Sequence, residues 1–248
     1  MNALHDARQN QLLAALPAKE YNSLLPHLER VSMPVDHVLY EAGAPMRHIY
    51  FPTDAIVSLL NITEDGDTTE IAMVGNEGVV GVSLCMGCKT SLGCAVVQSA
   101  GNAYRLKAQF LMDSLGRLGG SHAGILHDLV LRYAQVLMAQ MAQMAVCNRH
   151  HSVDQQLCCR LLSSLDRLPS NELAMTHELM ATMLGVRRES VSEAAGQLQK
   201  TGLIKYRRGH ITVLDRAGLE ERVCECYAVV RKESDHLQES LLPRAIAA

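Results

Sequence analysis

The sequence predicts an α+β protein: an N-terminal antiparallel β-roll, a long helix, and a C-terminal winged helix-turn-helix. Three observations predict it. Between Val31 and Leu106, short apolar runs alternate with Gly, Asn, Asp and Pro, the texture of an antiparallel all-β unit. From Ser121 to Cys147, apolar residues recur every three or four positions, which is helical periodicity. Residues 175–213 then read as helix, tight turn, helix and basic hairpin. The expected domains are therefore residues 1–120 for the roll, 121–148 for a dimerisation helix and 149–248 for the winged domain.

The chain has 248 residues, enough for two cores. Residues 8–30 predict a short helical region interrupted by Pro17 and Pro26. The runs that follow are VLYEAG, HIYFPTD, AIVSLLNITEDGDT, TEIAMVGNEG, VVGVSLCMG, CAVVQSAG and AYRL, each expected as a strand. Glu64-Asp65-Gly66-Asp67 predicts a hairpin turn between Ile56–Ile62 and Thr69–Val74.

In the long helix, Val130, Tyr133, Leu137, Gln140, Met144 and Cys147 follow one another by three or four residues, a seam of coiled-coil spacing. Leu126, Leu129, Val136, Met138 and Met141 widen the apolar surface. A helix roughly 40 Å long and apolar on two faces needs two partners. Its own roll is one, and the same helix of a second subunit in a two-fold dimer is the other. Asn148-Arg149-His150-His151 is the expected hinge, followed by a helix from Ser152 to Leu168. Residues 215–238 predict a last helix with Val223, Tyr227 and Val230 as its apolar positions, and the terminal SLLPRAIAA is expected to fray.

Within residues 175–213, Thr176 is the expected N-cap of the first helix, whose stripe is Leu179, Met180, Met183 and Leu184. Gly185 permits the turn. Arg187 or Arg188 opens the second helix, with Val191, Ala194, Ala195 and Leu198 as its apolar face. Arg188, Glu189, Ser192 and Glu193 lie on the face left free, placed to reach base edges in a major groove. Thr176, Arg187, Lys205, Arg207 and Arg208 are candidates for phosphate contacts. Residues 176–213 carry a local charge of +3 on a chain of −3, a footprint suited to nucleic acid.

The layout from about residue 12 to 230 resembles the Crp/Fnr family of bacterial transcription regulators. Gly185-Val186-Arg187-Arg188-Glu189-Ser190-Val191-Ser192 is similar to that family's recognition-helix opening, and Gly75-Asn76-Glu77-Gly78 sits where its roll has a Gly-Glu loop. The resemblance implies a cyclic-nucleotide-binding-like roll and a homodimer that acts as a sequence-specific transcription regulator on a pseudo-palindrome. Double-stranded DNA and RNA polymerase are its implied macromolecular partners. It implies that Arg188 donates to a guanine and that Glu189 accepts from a cytosine amino group. Ser192 matches a position that contacts bases or phosphate. Glu193 stands where several members have a second base-reading Arg, so the preferred site should differ from theirs.

No cofactor is predicted. The family's cyclic-nucleotide binders hold the phosphate with an Arg late in the roll. The matching stretch here, Gly87–Val96, has none and offers only Lys89, which lacks the guanidinium fork, so cyclic-nucleotide dependence is not expected. The alternative is a thiol- or metal- or iron–sulfur-responsive regulator sensing through Cys85, Cys88 and Cys94, whose C-x2-C-x5-C spacing suits chelation. Packing of small apolar cysteines is the plainer reading of these three. Cys147, Cys158 and Cys159 are expected in the core, and Cys224 and Cys226 are expected to diverge on a helix. With eight Cys, no signal peptide in MNALHDARQNQLLAALPAKE and no apolar run of membrane-spanning length, a cytoplasmic protein without membrane contact or a disulfide framework is expected. No P-loop, G-x-S-x-G, H-E-x-x-H or dinucleotide fingerprint occurs, and no enzymatic activity is expected.

Overall fold

The computed structural model describes residues 6–111 and 121–241. The end of the expected roll domain and most of SLLPRAIAA lie outside the described residues. Two compact units are present. The first is formed by residues up to Leu59, by Met73–Met138 and by residues from Glu233; the second by Leu60–Ala72 and Ala139–Lys232.

The first unit opens with helices α1 (Gln11–Ala14) and α2 (Ala18–Leu24), separated at Pro17 as expected. Asn10 caps α1 by accepting from the Leu12 and Leu13 amides at 3.1 and 3.3 Å. Its own amide nitrogen donates to the carbonyls of Pro52 and Gly78 at 2.9 and 2.8 Å, so this fully buried polar side chain is satisfied and ties the helix to the roll.

The roll comprises β1 (Glu29–Met33), β2 (Val38–Tyr40), β3 (His48–Pro52), β4 (Ile56–Ile62), β5 (Thr68–Val74), β6 (Cys94–Ser99) and β7 (Gly101–Lys107). One sheet has the order β1-β7-β3 and the other β2-β6-β4-β5. Ile49, Phe51, Ile56, Met73, Val97 and Leu106 are fully buried between them. The β4–β5 turn forms where Glu64-Asp65-Gly66-Asp67 predicts it, with Gly66 at φ 89°. The run VVGVSLCMG is not a strand. Gly81 takes φ 98°, in the left-handed region open to glycine, and the chain turns into a short helix, α3 (Val82–Cys85).

Helix α4 (Ser121–His150) spans 30 residues and so extends about 45 Å. It runs through Asn148, Arg149 and His150, which leaves only His151 of the expected hinge outside the helix. The expected dimer seam is turned inward. Val130, Tyr133, Leu137, Gln140 and Cys147 are already buried in the single chain, and Met144 is half-buried. Tyr133 is held so closely that a Cβ on Gly78 would enter its ring, which accounts for the glycine in Gly75-Asn76-Glu77-Gly78. The outward face carries Leu131, Gln135, Met138, Ala142 and Ala145.

The second unit contains α5 (Val153–Leu165), β8 (Glu172–Ala174), α6 (His177–Leu184), α7 (Arg188–Lys200), β9 (Ile204–Arg207), β10 (His210–Val213), α8 (Arg216–Arg222) and the start of α9 (Glu225–Leu241). Ser152 and Gln155 close a capping box at the start of α5. Leu157, Leu161, Met180, Leu184, Val191, Leu198, Ile204 and Ile211 form the shared core. The single helix expected over 215–238 is two. Asp215 caps α8 by accepting from the Gly218 amide at 3.0 Å, and Val223, at ψ 151°, leaves the helical region before α9 begins. No Gly or Pro marks this break; it coincides with the burial of Cys224 and Cys226.

Candidate nucleic-acid interface

The helix pair is set by its termini. Thr176 Oγ1 accepts from the Leu179 amide at 3.1 Å, capping α6 as expected. Gly185 ends that helix at φ 63°, where a side chain is disfavoured. The Val186 amide then donates back to the Ala181 carbonyl at 3.1 Å, and the Val186 side chain packs on the core between the helices. Arg187 is the N-cap of α7 and makes no side-chain cap bond; the Ser190 amide donates to the Arg187 carbonyl at 3.1 Å, which leaves the Arg188 and Glu189 amides of the first turn to meet an anion.

On α7, Val191, Ala194, Ala195 and Leu198 are buried, and Arg188, Glu189, Ser192 and Glu193 are exposed on the opposite face. Arg188 Nε is 3.8 Å from Glu178 Oε2, with both side chains largely in solvent. A pair this exposed holds the guanidinium weakly. Ser192 Oγ donates to the Arg188 carbonyl at 3.0 Å and is 2.8 Å from His177 Nδ1. The His177 ring stacks on Tyr206 at 4.2 Å between centroids. Burial, reinforced by the Arg188 charge, holds His177 below the ordinary imidazole range. It therefore acts as a neutral brace joining α6, α7 and the wing. Nothing in the sequence marks this histidine, because its partners are 15 and 29 positions away.

The wing turns at Arg208 and Gly209, with φ of 50° and 81°, the twist-matched hairpin geometry. Strand alternation buries Ile204 and half-buries Tyr206 while leaving Lys205 and Arg207 exposed; Arg208 is exposed at the tip. Gln199 Oε1 accepts from the Tyr206 amide at 2.8 Å, fixing the wing to α7. The hairpin also gains a third strand, β8, in the order β8-β10-β9. At three residues, β8 has no readable alternation. Thr176 sits on this same surface, with its methyl against Gly209.

Cys85, Cys88 and Cys94 are not gathered into a metal site. Cys85 faces the roll core from α3, Cys88 is exposed in the following turn, and Cys94 is buried at the start of β6. Burial pushes the Cys85 thiol up to about 12 and raises Cys94 as well, which keeps both protonated and unreactive. Arg105 is engaged in a two-bond fork with Glu29 at 2.9 and 2.8 Å.

A different group converges. Among the described residues, only Cys147, His151, Cys224 and Cys226 form a set of three or more potential metal ligands, with all four ligand atoms within 4.8 Å of one another. Cys147 Sγ is 3.6 Å from Cys224 Sγ, and Cys226 Sγ is 3.6 Å from His151 Nδ1. The expectation that Cys224 and Cys226 diverge fails because the chain breaks its helix at Val223–Cys224. Cys147, expected at a subunit seam, faces this group instead.

A two-layered β-roll, a long helix and a winged helix-turn-helix with an exposed α7 face and a basic wing define the fold of the described residues. Residues 155–222 match the Crp-like helix-turn-helix domain. Solved structures similar to the chain include a Crp/Fnr-family transcriptional regulator from Eubacterium rectale, at 16% identity, covering 86% of this chain and 98% of that one with a TM-score of 0.65. FixK2 from Bradyrhizobium japonicum is also 16% identical, with 79% and 98% covered and a TM-score of 0.64. The c-di-GMP-responsive regulator CLP from Xanthomonas campestris is 16% identical, with 80% and 99% covered and a TM-score of 0.64. At such identities the likeness is one of fold. A search of curated proteins returns no match. Residues 155–222 are thus a Crp-like helix-turn-helix domain, in a chain whose fold is similar to those of solved Crp/Fnr regulators.

Proposed function

We propose that the protein is a homodimeric, sequence-specific transcription regulator that binds a pseudo-palindromic operator without requiring a cyclic nucleotide. The observation that carries this reading is the exposed face of α7, with Arg188, Glu189, Ser192 and Glu193 beside the wing cations Lys205, Arg207 and Arg208. Arg188 suits a guanine edge and Glu189 a cytosine amino group. Ser192, already donating to the Arg188 carbonyl, presents its oxygen chiefly as an acceptor. Glu193 accepts from C or A edges and repels phosphate, so it sets a preference of its own. Arg187, Lys205, Arg207 and Arg208 hold the backbone, and Thr176 contributes its hydroxyl proton. The absence of an Arg from Gly87–Val96 supports independence from cyclic nucleotides. A cytoplasmic location and contact with RNA polymerase accompany this role.

Selection of bound sequences from random DNA, with and without cyclic AMP and GMP, tests the reading. Arg188→Ala is expected to cost about 1–3 kcal/mol on the selected site and much less on random DNA. Arg207→Ala is expected to weaken all sequences alike and to flatten the salt dependence. Equal losses on both DNAs for Arg188→Ala would refute its base-reading role.

The dimer forms through the outward face of α4. Leu131, Gln135, Met138, Ala142 and Ala145 follow one another by four, three, four and three residues, and Leu131 and Met138 are 41% and 53% exposed. That is the a/d spacing of a two-stranded coiled coil. Ala142 and Ala145 are small enough for close approach, and Gln135 is a single polar position of the kind that fixes register. Met138→Glu is expected to give a folded monomer in analytical ultracentrifugation, with loss of tight operator binding. A Met138→Glu protein that stays dimeric would exclude this seam.

A further inference from the structure

The four side chains Cys147, His151, Cys224 and Cys226 share no part of the DNA-reading face, and their arrangement has the dimensions of a metal site. We propose that they form a Cys3His site for a single Zn2+ at the junction of the long helix and the winged domain. With Zn–S of about 2.3 Å and Zn–N of about 2.0–2.1 Å, a tetrahedral ion requires ligand separations of about 3.8 Å between sulfurs and about 3.6 Å between sulfur and nitrogen. The two separations here, Cys147 Sγ to Cys224 Sγ and Cys226 Sγ to His151 Nδ1, are both 3.6 Å. All four ligand atoms fit within 4.8 Å, an envelope that suits one ion. A cluster of several irons, bound through thiolates on separate metal atoms, needs a wider one.

The local backbone explains how the ligands converge. Cys147 and His151 are one helical turn apart at the end of α4, and the His151 amide donates to the Cys147 carbonyl at 3.1 Å. Cys224 and Cys226 bracket the start of α9, directly after the extended Val223 interrupts the helix. The three thiols are buried and pack against one another, and the Cys159 thiol of α5 lies within hydrogen-bonding reach of Cys147 and Cys224.

The histidine is also oriented as a ligand. Its Nδ1 faces Cys226, and its Nε2 lies 3.3 Å from Glu225 Oε1. A carboxylate on the far ring nitrogen fixes the tautomer that leaves Nδ1 free to bind a metal. On binding, the three thiols release their protons to solvent, each sulfur donates a lone pair to the ion, and no oxidant is needed. The Cys3His donor set selects Zn2+ over the harder divalent cations.

Reduced full-length protein, stripped with a chelator and held anaerobically, is titrated with Zn2+ and separately with Co2+. One ion of either metal should bind per chain, and Co2+ should show thiolate charge-transfer and tetrahedral ligand-field bands. Cys224→Ser should abolish those bands while circular dichroism remains that of a folded protein. Glu225→Gln, which leaves all four ligands in place, should weaken metal binding about 10–100-fold. A Cys85→Ser/Cys88→Ser variant should bind as the parent does. Failure of the folded, reduced parent to take up one equivalent of either metal would overturn the site, as would loss of uptake in the Cys85→Ser/Cys88→Ser variant. DNA binding plays no part in these readouts, so they succeed or fail independently of the regulatory role.

Discussion

Arg160→Ala is expected to destabilise the second unit by about 3–5 kcal/mol, the cost of leaving one buried charge without its partner. The Arg160 guanidinium on α5 forms an ion pair with the Glu70 carboxylate on β5, and both side chains are essentially inaccessible, at 2% and 0% exposed. Glu70→Ala should cost a similar amount for the same reason. The double variant Arg160→Met/Glu70→Leu should recover most of the loss, because a well-packed apolar pair of similar volume does as well as a buried ion pair or better. Urea denaturation of the parent, the two single Ala variants and Arg160→Ala/Glu70→Ala gives the coupling, and the Arg160→Met/Glu70→Leu protein is compared with the parent. Single variants within about 0.5 kcal/mol of the parent would mean that this pair is not buried in solution.

The second large effect separates the two faces of the long helix. Tyr133→Ala is expected to cost about 3–5 kcal/mol, as large-to-small changes of buried aromatic residues do. Tyr133 is 1% exposed in the single chain and packs against Gly78, so the loss should not depend on protein concentration. Met138→Glu, on the outward face, should instead shift the monomer–dimer equilibrium with little effect on the folding of each chain. If Tyr133→Ala dissociated the dimer while Met138→Glu had no effect on assembly, the assignment of faces would be reversed.

The contrast shows which features of this chain are legible from local pattern. The periodicity from Ser121 to Cys147 is enough to predict the helix, and it identifies Val130, Tyr133 and Leu137 as apolar positions. It does not say which partner they bury against, because a seam that meets the roll and a seam that meets a second subunit have the same spacing. Exposure decides it, and exposure depends on residues such as Gly78 more than fifty positions away. The winged module was legible for the opposite reason. Its cap, its glycine turn, its buried α7 stripe and its hairpin are all set within 38 residues, from Thr176 to Val213, by short-range steric and hydrogen-bonding rules. The His177 brace escaped, and so did β8, being three residues long and recruited by the wing across 36 positions, from Ala174 to His210.

The cysteines mark the same boundary. The spacing of Cys85, Cys88 and Cys94 suggests chelation, yet the left-handed Gly81 and the short α3 send Cys85 into the core and leave Cys88 in solvent. Cys224 and Cys226 look divergent only if residues 215–238 form an unbroken helix.

By itself, then, the amino-acid sequence determined the succession of roll, long helix and winged module, the helix-turn-helix with its free α7 face, and the concentration of positive charge on the wing. Each follows from side chains acting on their near neighbours. The tertiary structure alone decided the inward face of the long helix, the Arg160–Glu70 pair 90 positions apart and the Cys147–Cys224 contact 77 apart. Such contacts exist only after folding has closed those loops, and no short window of sequence carries the information that they will meet.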